Sequence, residues 1–323
     1  MRAIAQFVAI FVSLALTALP AQAQDYPVRP IRMIVAFAPG GSADINARIV
    51  GQQLGVELGT QVIIENRGGA GGNLGAVEAK RAAPDGYTVF YTTSAVALSP
   101  ATYSNPGFDP QADFKLISTI ATIPLVLVVN PKIPPKTLSE FVAWAKTQNG
   151  KVNYGSSGRG AMLHIVGAQF AKETGFGATH ISYRGSGPAV TDLVGGTTQF
   201  MFLPANEAKP QIEGGALRAI AVPYAERLPQ LPDVPTFREA IGAATFDADA
   251  WSGLSVPPGT PQPIVARLTE ALRRTLANAE VKRRVTELGS IVLGSTDAEF
   301  SELMKKERDR WAKVVAEIEV KAE

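Results

Sequence analysis

The chain has 323 residues, of which 19% are charged, a formal net charge of +2, two histidines and no cysteine. The missing cysteines exclude disulfides, thiolate metal sites, a cysteine nucleophile and a lipid anchor on a cysteine. The near-neutral charge provides no basic surface for nucleic acid or for a membrane, and two histidines without an acidic cluster do not favour a metal site. We therefore expect no metal, no cofactor and no nucleic-acid partner.

The first 23 residues predict a secretory signal peptide. Arg2 provides the positive n-region, residues 7–19 form an apolar run that is too short to span a bilayer, and residues 21–23 read Ala-Gln-Ala, an A-x-A cleavage site. We expect cleavage after Ala23, export to the periplasm and a soluble mature chain. That mature chain, residues 24–323, is long enough for two compact domains.

The first part of the mature chain alternates short apolar runs with longer helical patterns, which predicts an α/β fold. The runs are continuously apolar, as in parallel strands that are covered on both faces. The rhythm changes at 116–129, where two apolar runs adjoin without a helix between them. The strands expected before that point are 31–37, 62–65 and 87–92, and the helices are 43–58 and 73–82.

A second series of alternating strands and helices follows. We therefore expect two α/β domains joined by two crossing strands, with 24–123 and 250–323 as domain 1 and 124–249 as domain 2. The helices expected in this part are 138–146, 162–173, 189–194, 264–277 and 298–319. The strands expected there are 152–154, 181–183, 200–203, 217–222 and 251–256.

The loop after the first strand has the pattern of an anion site. Pro39, Gly40 and Gly41 predict a tight turn, and Ser42 is a good N-cap for the helix that follows. The first amides of a helix have no partner within it, and the helix dipole favours an anion in front of them. This loop alone equally permits a tight turn without a ligand. We interpret Asp44 and Arg48, four positions apart, as a structural ion pair.

Similar loops recur at 66–75, 92–94, 154–164 and 183–189, each between a strand and a helix. Because the carboxyl ends of parallel strands share one edge of a sheet, these loops outline a crevice of backbone donors. A nucleotide is disfavoured, since the sequence has no P-loop and GAGGNLG has Leu74 where a dinucleotide motif needs glycine.

The sequence does not favour catalysis. The segment GSSGR fails as a G-x-S-x-G nucleophile elbow at Arg159. A Ser–His–acid triad would have to use His164 or His180, which we interpret as structural. We expect a binding protein, with an exported hydrolase or isomerase that uses one of these histidines as the alternative.

Seven motifs in order resemble the tripartite tricarboxylate transporter substrate-binding family, the Bug or TctC-type receptors, from Tyr26 to the C-terminus. They are YPVRPIRMIVAFAPGGSADINAR, VIIENRGGAGGNLGA, APDGYTV, NYGSSGRGAMLH, YRGSGPAVTDLVGG, LPDVPT and WSGLSVPPGTP. The resemblance implies a type II periplasmic binding protein, in which two α/β domains close like a Venus flytrap. It implies a monomeric receptor that binds a small organic carboxylate and delivers it to the membrane subunits of the transporter. An exported sensor-type ligand-binding protein is the alternative.

The resemblance also implies the ligand-binding residues. Those in the first domain are Pro39, Gly40, Gly41, Ser42, Ala43, Asp44, Thr92, Thr93 and Ser94. Those in the second domain are Ser156, Ser157, Gly158, Gly160, Ala161, His164, Arg184, Gly185 and Ser186. Two positions depart from the family. Other members often have serine or threonine where this chain has Ala161, and Leu203 stands where an aspartate commonly faces the crevice. The loss of this acceptor for an amino group favours a plain or aromatic acid over an amino acid.

Overall fold

The computed structural model describes residues 26–242, 246 and 248–318. The predicted signal peptide and its cleavage point lie outside the described residues. The strands are β1 (Ile31–Val35), β2 (Val62–Asn66), β3 (Thr88–Thr93), β4 (Lys115–Val129), β5 (Val152–Ser156), β6 (Ala178–Ser182), β7 (Phe200–Pro204), β8 (Arg218–Ala221), β9 (Asp249–Val256) and β10 (Ile291–Val292). The helices are α1 (Ser42–Leu58), α2 (Asn73–Arg81), α3 (Ser94–Thr102), α4 (Leu138–Thr147), α5 (Met162–Thr174), α6 (Ser186–Gly195), α7 (Ala205–Glu213), α8 (Phe237–Ile241), α9 (Gln262–Ala277), α10 (Ala279–Glu287) and α11 (Asp297–Ile318), and a 3-10 turn covers Ala70–Gly72.

The strands form one mixed sheet in the order β2-β1-β3-β9-β4-β7-β5-β6. The triplets β2-β1-β3 and β7-β5-β6 are parallel, whereas β9 is antiparallel to both of its neighbours and β4 is antiparallel to β7. The short strands β8 and β10 pair with β4. We call the part built on β1, β2, β3 and β9 the first lobe, and the part built on β5, β6, β7 and β8 the second lobe.

Strand β4 belongs to both lobes. Its first section, from Lys115 to Pro124, pairs with β9, and its second section, from Leu125 to Val129, pairs with β7. The two apolar runs that adjoin in the sequence are therefore one long strand, and the chain passes from the first lobe to the second inside it.

Each lobe has its own apolar core. In the first lobe, alternate residues of β1 face opposite sides of the sheet: Ile31 and Met33 join one buried cluster, and Ile34 joins another. In the second lobe, aromatic rings pack around Phe170, which contacts Phe141 and Phe202 with ring centroids 6.0 and 5.6 Å apart. In both lobes, the loops between strands and helices are thus supported by a packed apolar core.

The last helix is anchored in both cores. Phe300 and Met304 of α11 pack in a first-lobe cluster, whereas Trp311 and Val315 pack in the cluster of the second-lobe core, which also includes Leu98 of α3. The indole Nε1 of the buried Trp311 donates to Glu307 of the same helix at 3.0 Å.

The element boundaries differ from the predictions at a few places. Helices α3, α7, α8 and α10 are not among the predicted elements, and β6 begins at Ala178, three residues before the predicted start. Helix α3 is buried on most sides and contains Pro100, so it shows no periodic polar face. Helix α7 likewise contains a proline, Pro210.

Candidate ligand-binding site

A cavity of about 410 Å³ lies between the two lobes, and we call it the inter-lobe cavity. Both lobes contribute residues at or beyond the ends of their strands. The lining residues are Phe37, Ala38, Pro39, Gly40, Gly41, Ser42, Ala43, Thr93, Ser94, Ala95, Ile123, Ser157, Ala161, Met162, Leu163, Arg184, Gly185, Ser186, Gly187, Pro188, Pro204, Glu207, Ala250 and Trp251.

Five helices begin at this cavity: α1, α3, α5, α6 and α7. Their N-cap residues all line it, and within the described chain none of these five ends is capped by a hydrogen bond from the N-cap side chain. The N-cap residues are Gly41, Thr93, Ala161, Gly185 and Pro204. Because the first amides of each helix lack a partner within that helix, the cavity is lined by backbone donors and by the positive ends of five dipoles.

The first glycine-rich loop differs in detail from the prediction. Ser42 is the first residue of α1 and Gly41 is its N-cap, so Ser42 is not the predicted cap. Gly40 has a φ of +83°, which favours glycine, whereas Gly41 has a φ of −83° and a ψ of 170°, which any residue can adopt. A tight turn that needs glycine is therefore required at Gly40 only.

Asp44 holds this loop from behind and does not line the cavity. Its carboxylate accepts hydrogen bonds from the Gly40 N–H at 2.9 Å and from the Asn66 side chain at 3.0 Å, and it pairs with Arg48 at 2.9 Å. Burial opposes ionisation, but these hydrogen bonds outweigh it and lower the pKa of Asp44. Asp44 is thus a structural anchor, as its spacing from Arg48 predicts.

The structure brings most of the predicted residues together. The predicted residues that line the cavity are Pro39, Gly40, Gly41, Ser42, Ala43, Thr93, Ser94, Ser157, Ala161, Arg184, Gly185 and Ser186. The predicted residues that lie outside the lining are Asp44, Thr92, Ser156, Gly158, Gly160, His164 and Leu203. Thr92, for example, is fully buried, with its hydroxyl 2.5 Å from that of Ser255.

The two histidines support the loop between β5 and α5. The Gly160 N–H donates to Nδ1 of His164 at 3.0 Å, and Nε2 of His180 lies 2.6 Å from Oγ of Ser156. Burial lowers the pKa of both imidazoles, so both are neutral at pH 7. Ser156 is fully buried and outside the lining, so this Ser–His contact does not face the cavity.

Leu203 is a core residue. It is fully buried on β7, where it pairs with Val126 of β4, so its side chain belongs to the core and not to the surface of the crevice. An acid reaches the cavity four residues later: Glu207 is partly buried and lines it. Glu207 is not among the predicted site residues, although an acid in the first turn of a helix directly after an apolar strand is a signal that identifies such a position.

Glu207 joins the two lobes. Its Oε1 accepts a hydrogen bond from the backbone N–H of Ser42 at 2.7 Å, and its carboxyl group accepts another from the side chain of Ser186. Burial raises the pKa of Glu207, and these two hydrogen bonds only partly offset the increase. One of the amides at the start of α1 that has no partner within the helix therefore donates to a carboxyl group of the protein itself.

Two more contacts close the crevice between the lobes. The hydroxyl of Ser94 lies 3.6 Å from Sδ of Met162, and the hydroxyl of Tyr103 donates to the carbonyl oxygen of Arg159 at 2.9 Å. The structure therefore shows the lobes in contact around the cavity.

Three buried polar groups of the lining have no hydrogen-bond partner among the described residues. They are Oγ of Ser42, Oγ1 of Thr93 and Nε1 of Trp251, and the Trp251 side chain is almost completely buried. Buried polar groups are normally paired, so these groups are available to a bound molecule. Trp251 lies on a predicted strand but is not among the predicted site residues.

The remaining surface of the cavity is mainly apolar. Phe37, Ile123, Met162 and Leu163 contribute side chains to it. Among the described lining residues, the charged side chains are those of Arg184, which is exposed, and Glu207. The arrangement suits a small anion with an apolar body.

The described part of the chain contains neither a candidate metal-binding group nor a candidate membrane-spanning helix. Residues 26–242, 246 and 248–318 contain no group of three or more histidines and acids that could hold a metal ion. Within the same ranges, no helix is long and apolar enough to cross a membrane.

Known proteins resemble the chain in sequence and in fold. A family model described as the tripartite tricarboxylate transporter family receptor, TctC, matches residues 46–320. The structure of the periplasmic binding protein BugD has 32% identity and a TM-score of 0.87, covering 92% of this chain and 99% of BugD. MatC from Rhodopseudomonas palustris, with bound malate, has 34% identity and a TM-score of 0.83, covering 90% of this chain and 100% of MatC. Another R. palustris protein, with adipate, has 29% identity and a TM-score of 0.88, covering 92% of this chain and 99% of that protein.

Proposed function

The chain belongs to the TctC family of tripartite tricarboxylate transporter receptors, and from this premise we propose that it binds a small organic carboxylate in the inter-lobe cavity and delivers it to the membrane subunits of such a transporter. It has the mixed α/β fold of periplasmic binding proteins, and it is a solute-binding receptor rather than an enzyme, since its family and structural neighbours are binding proteins.

The observation that supports this proposal most directly is the convergence of five helix N-termini on one cavity. A carboxylate there accepts hydrogen bonds from backbone N–H groups in front of positive dipole ends. Each charge-assisted hydrogen bond contributes roughly 1.5–3 kcal/mol, so a few of them provide useful affinity after the cost of closing the lobes. The hydroxyls of Ser42 and Thr93 and the indole of Trp251 are additional donors.

The bound forms of two neighbours support the same class of ligand. MatC holds malate and the other R. palustris protein holds adipate, and both molecules are small carboxylates. We propose that the predicted loop residues that line the cavity contact the ligand, and that the predicted residues outside the lining hold these loops in place.

We also propose the processing and domain limits that the sequence predicts. Residues 1–23 are removed during export to the periplasm, 24–123 with 250–323 form domain 1, 124–249 form domain 2, and the receptor acts as a monomer. The change of partner within β4, from β9 at Pro124 to β7 at Leu125, supports the first of these domain limits.

A thermal-shift screen of carboxylates tests the ligand class. A ligand that binds only the folded state stabilises it by about 2.7 kcal/mol at a hundredfold excess over Kd. We expect at least one carboxylate to raise Tm, and we expect the neutral amide of the same acid to have no effect because the charged acceptor is gone. Equal shifts from the acid and its amide, or hits confined to sugars and cations, would contradict the proposal.

A further inference from the structure

We propose that Glu207 determines the specificity of the inter-lobe cavity by providing one carboxylate from the protein itself, so that the receptor prefers a ligand with a single carboxylate on an apolar body and disfavours dicarboxylates. This inference rests on the proposed function, because it assigns the ligand class of the same cavity.

Glu207 uses backbone and side-chain donors at the edge of the cavity. The residue stands on α7 of the second lobe, and its Oε1 accepts the N–H of Ser42 at the start of α1 in the first lobe at 2.7 Å. This is one of the amides that a ligand carboxylate would otherwise use. The side chain of Ser186, at the start of α6, also donates a hydrogen bond to Glu207. One acceptor therefore already bonds to the starts of two helices.

The cavity has little positive side-chain charge. Among the described lining residues, Arg184 is the cationic side chain, and it is exposed. The Glu207 carboxyl group already accepts the Ser42 N–H and the Ser186 side chain, so these donors are taken. A first ligand carboxylate still has the starts of α3 and α5 as donors, but a second one enters a cavity that already holds the first negative charge beside the Glu207 carboxyl group. Like charges repel strongly where little water screens them, so the second carboxylate is disfavoured.

The remaining donors and the apolar lining also suit a ligand with one carboxylate. The unpartnered Thr93 hydroxyl and Trp251 indole provide hydrogen-bond donors that suit a single anionic group. Phe37, Ile123 and Leu163 provide apolar surface for the rest of the ligand. A second carboxylate would lie close to the Glu207 carboxyl group, displace it from Ser42, or lie against this apolar surface, and burying a charge that is poorly paired is costly.

Matched acids of equal length test the inference. The probes are hexanoate with adipate, butanoate with succinate, and benzoate with phthalate, each titrated by calorimetry at pH 7.5, where all of these ligand carboxyls are ionised. In the unsubstituted protein we expect at least one monocarboxylate to bind at least tenfold more tightly than its dicarboxylate partner. In Glu207→Gln, which keeps the size of the side chain and an acceptor for the Ser42 N–H, we expect the dicarboxylate to gain at least tenfold.

One control variant and one second test variant accompany Glu207→Gln. Glu213→Gln removes an acid from the other end of the same helix, where Glu213 is paired with Lys209, and should leave both affinities unchanged. Glu207→Ala should shift the preference in the same direction as Glu207→Gln and replaces it if that variant does not fold.

The outcomes separate the two proposals. Equal affinity for mono- and dicarboxylates in the unsubstituted protein, or a preference that Glu207→Gln and Glu207→Ala leave unchanged, would overturn the assignment of Glu207 while the carboxylate receptor stands. Failure of every mono- and dicarboxylate to bind the unsubstituted protein and both Glu207 variants would overturn the proposed function and this inference together.

Discussion

The imidazole rings of His164 and His180 stack face to face, with 3.7 Å between their centroids and 15° between their planes. His164 lies on α5 and His180 on β6, so the pair joins the helix to the edge strand of the second lobe. The ring of Tyr154 lies against both, at 6.2 and 5.1 Å. This stack stabilises the loop that starts α5 at the cavity.

The stack makes stability depend on pH. Burial lowers the pKa of both histidines, with the positive charge of Arg159 acting in the same direction. The unfolded state therefore binds more protons than the folded state below the unperturbed histidine pKa of 6.5, and the free energy of unfolding falls as the pH drops below that value. The slope is about 1.4 kcal/mol per pH unit for each histidine protonated only in the unfolded state.

Urea denaturation between pH 4.5 and 7.5 measures this effect. The double variant His164→Gln, His180→Gln removes both histidines of the chain and should show a flatter profile below pH 6.5 than the unsubstituted protein. An unchanged profile would show that the buried pair is not responsible for acid sensitivity.

A second prediction concerns the unpartnered indole of Trp251. Trp251→Phe removes the N–H and keeps an aromatic ring near Phe300, whose centroid is 5.5 Å away. We expect ligand affinity to fall about fivefold to tenfold, which corresponds to roughly 1 kcal/mol for one hydrogen bond. The Tm of the ligand-free protein should fall only through the lost packing of the smaller ring, because the indole N–H has no hydrogen-bond partner there.

Trp144→Phe is the matched control for that measurement, since Trp144 lies outside the cavity lining and packs near Phe141. If both tryptophan variants bind the ligand as the unsubstituted protein does, the indole of Trp251 is not a ligand contact.

A third prediction separates the two residues of the loop anchor. Asp44→Ala removes the acceptor of the Gly40 N–H and one of the two acceptors of the Asn66 amide, which keeps the Phe37 carbonyl. It should cost about 1–3 kcal/mol of stability and weaken ligand binding by displacing the loop. Arg48→Met removes a side chain that is 54% exposed and should cost less than about 1 kcal/mol without affecting binding. Urea denaturation and ligand titration of both variants check this difference. Equal losses would assign the anchoring to the ion pair alone.

A fourth prediction compares neighbouring glycines. Gly40→Ala places a side chain at a φ of +83° and should destabilise the folded protein by about 1–2 kcal/mol. Gly41→Ala should fold normally, because a Cβ there lies 3.7 Å from Oε1 of Glu207, an ordinary contact distance. Gly41→Val adds branches at that contact and should weaken ligand binding while Tm changes little.

Thermal melting and ligand titration of the three glycine variants measure these effects. Normal binding by Gly41→Val would contradict the close approach of Gly41 to Glu207 in the ligand-bound state.

The sequence predicts the repeating strand–loop–helix units well because each depends on local signals. The turn at Gly40, the start of α1 to within one residue and the burial of β1 all follow from nearby residue types. The family resemblance then assigns the loops to one site. That assignment also includes Thr92 and Ser156, which precede the cavity-lining positions by one residue and are fully buried instead.

Glu207 and Trp251 escaped prediction for a different reason. Each enters the cavity through long-range packing: Glu207 meets Ser42 across 165 positions, and Trp251 lies on the strand that returns to the first lobe. Periodicity does not encode which of several buried polar groups will lack a partner. Such groups become visible only when the hydrogen bonds of the folded chain are counted.

The placement of α11 limits how the receptor can open. Met304 packs in a first-lobe cluster and Trp311 in the cluster of the second-lobe core. They lie on one continuous helix, about 10 Å apart along its axis at 1.5 Å per residue. A helix does not stretch, so the lobes cannot simply separate along it: opening must pivot about α11, bend it, or pull one of its ends out of a core. Rotation about α11 disrupts the fewest packing contacts, so this helix is the axis of the opening motion as well as an outer support.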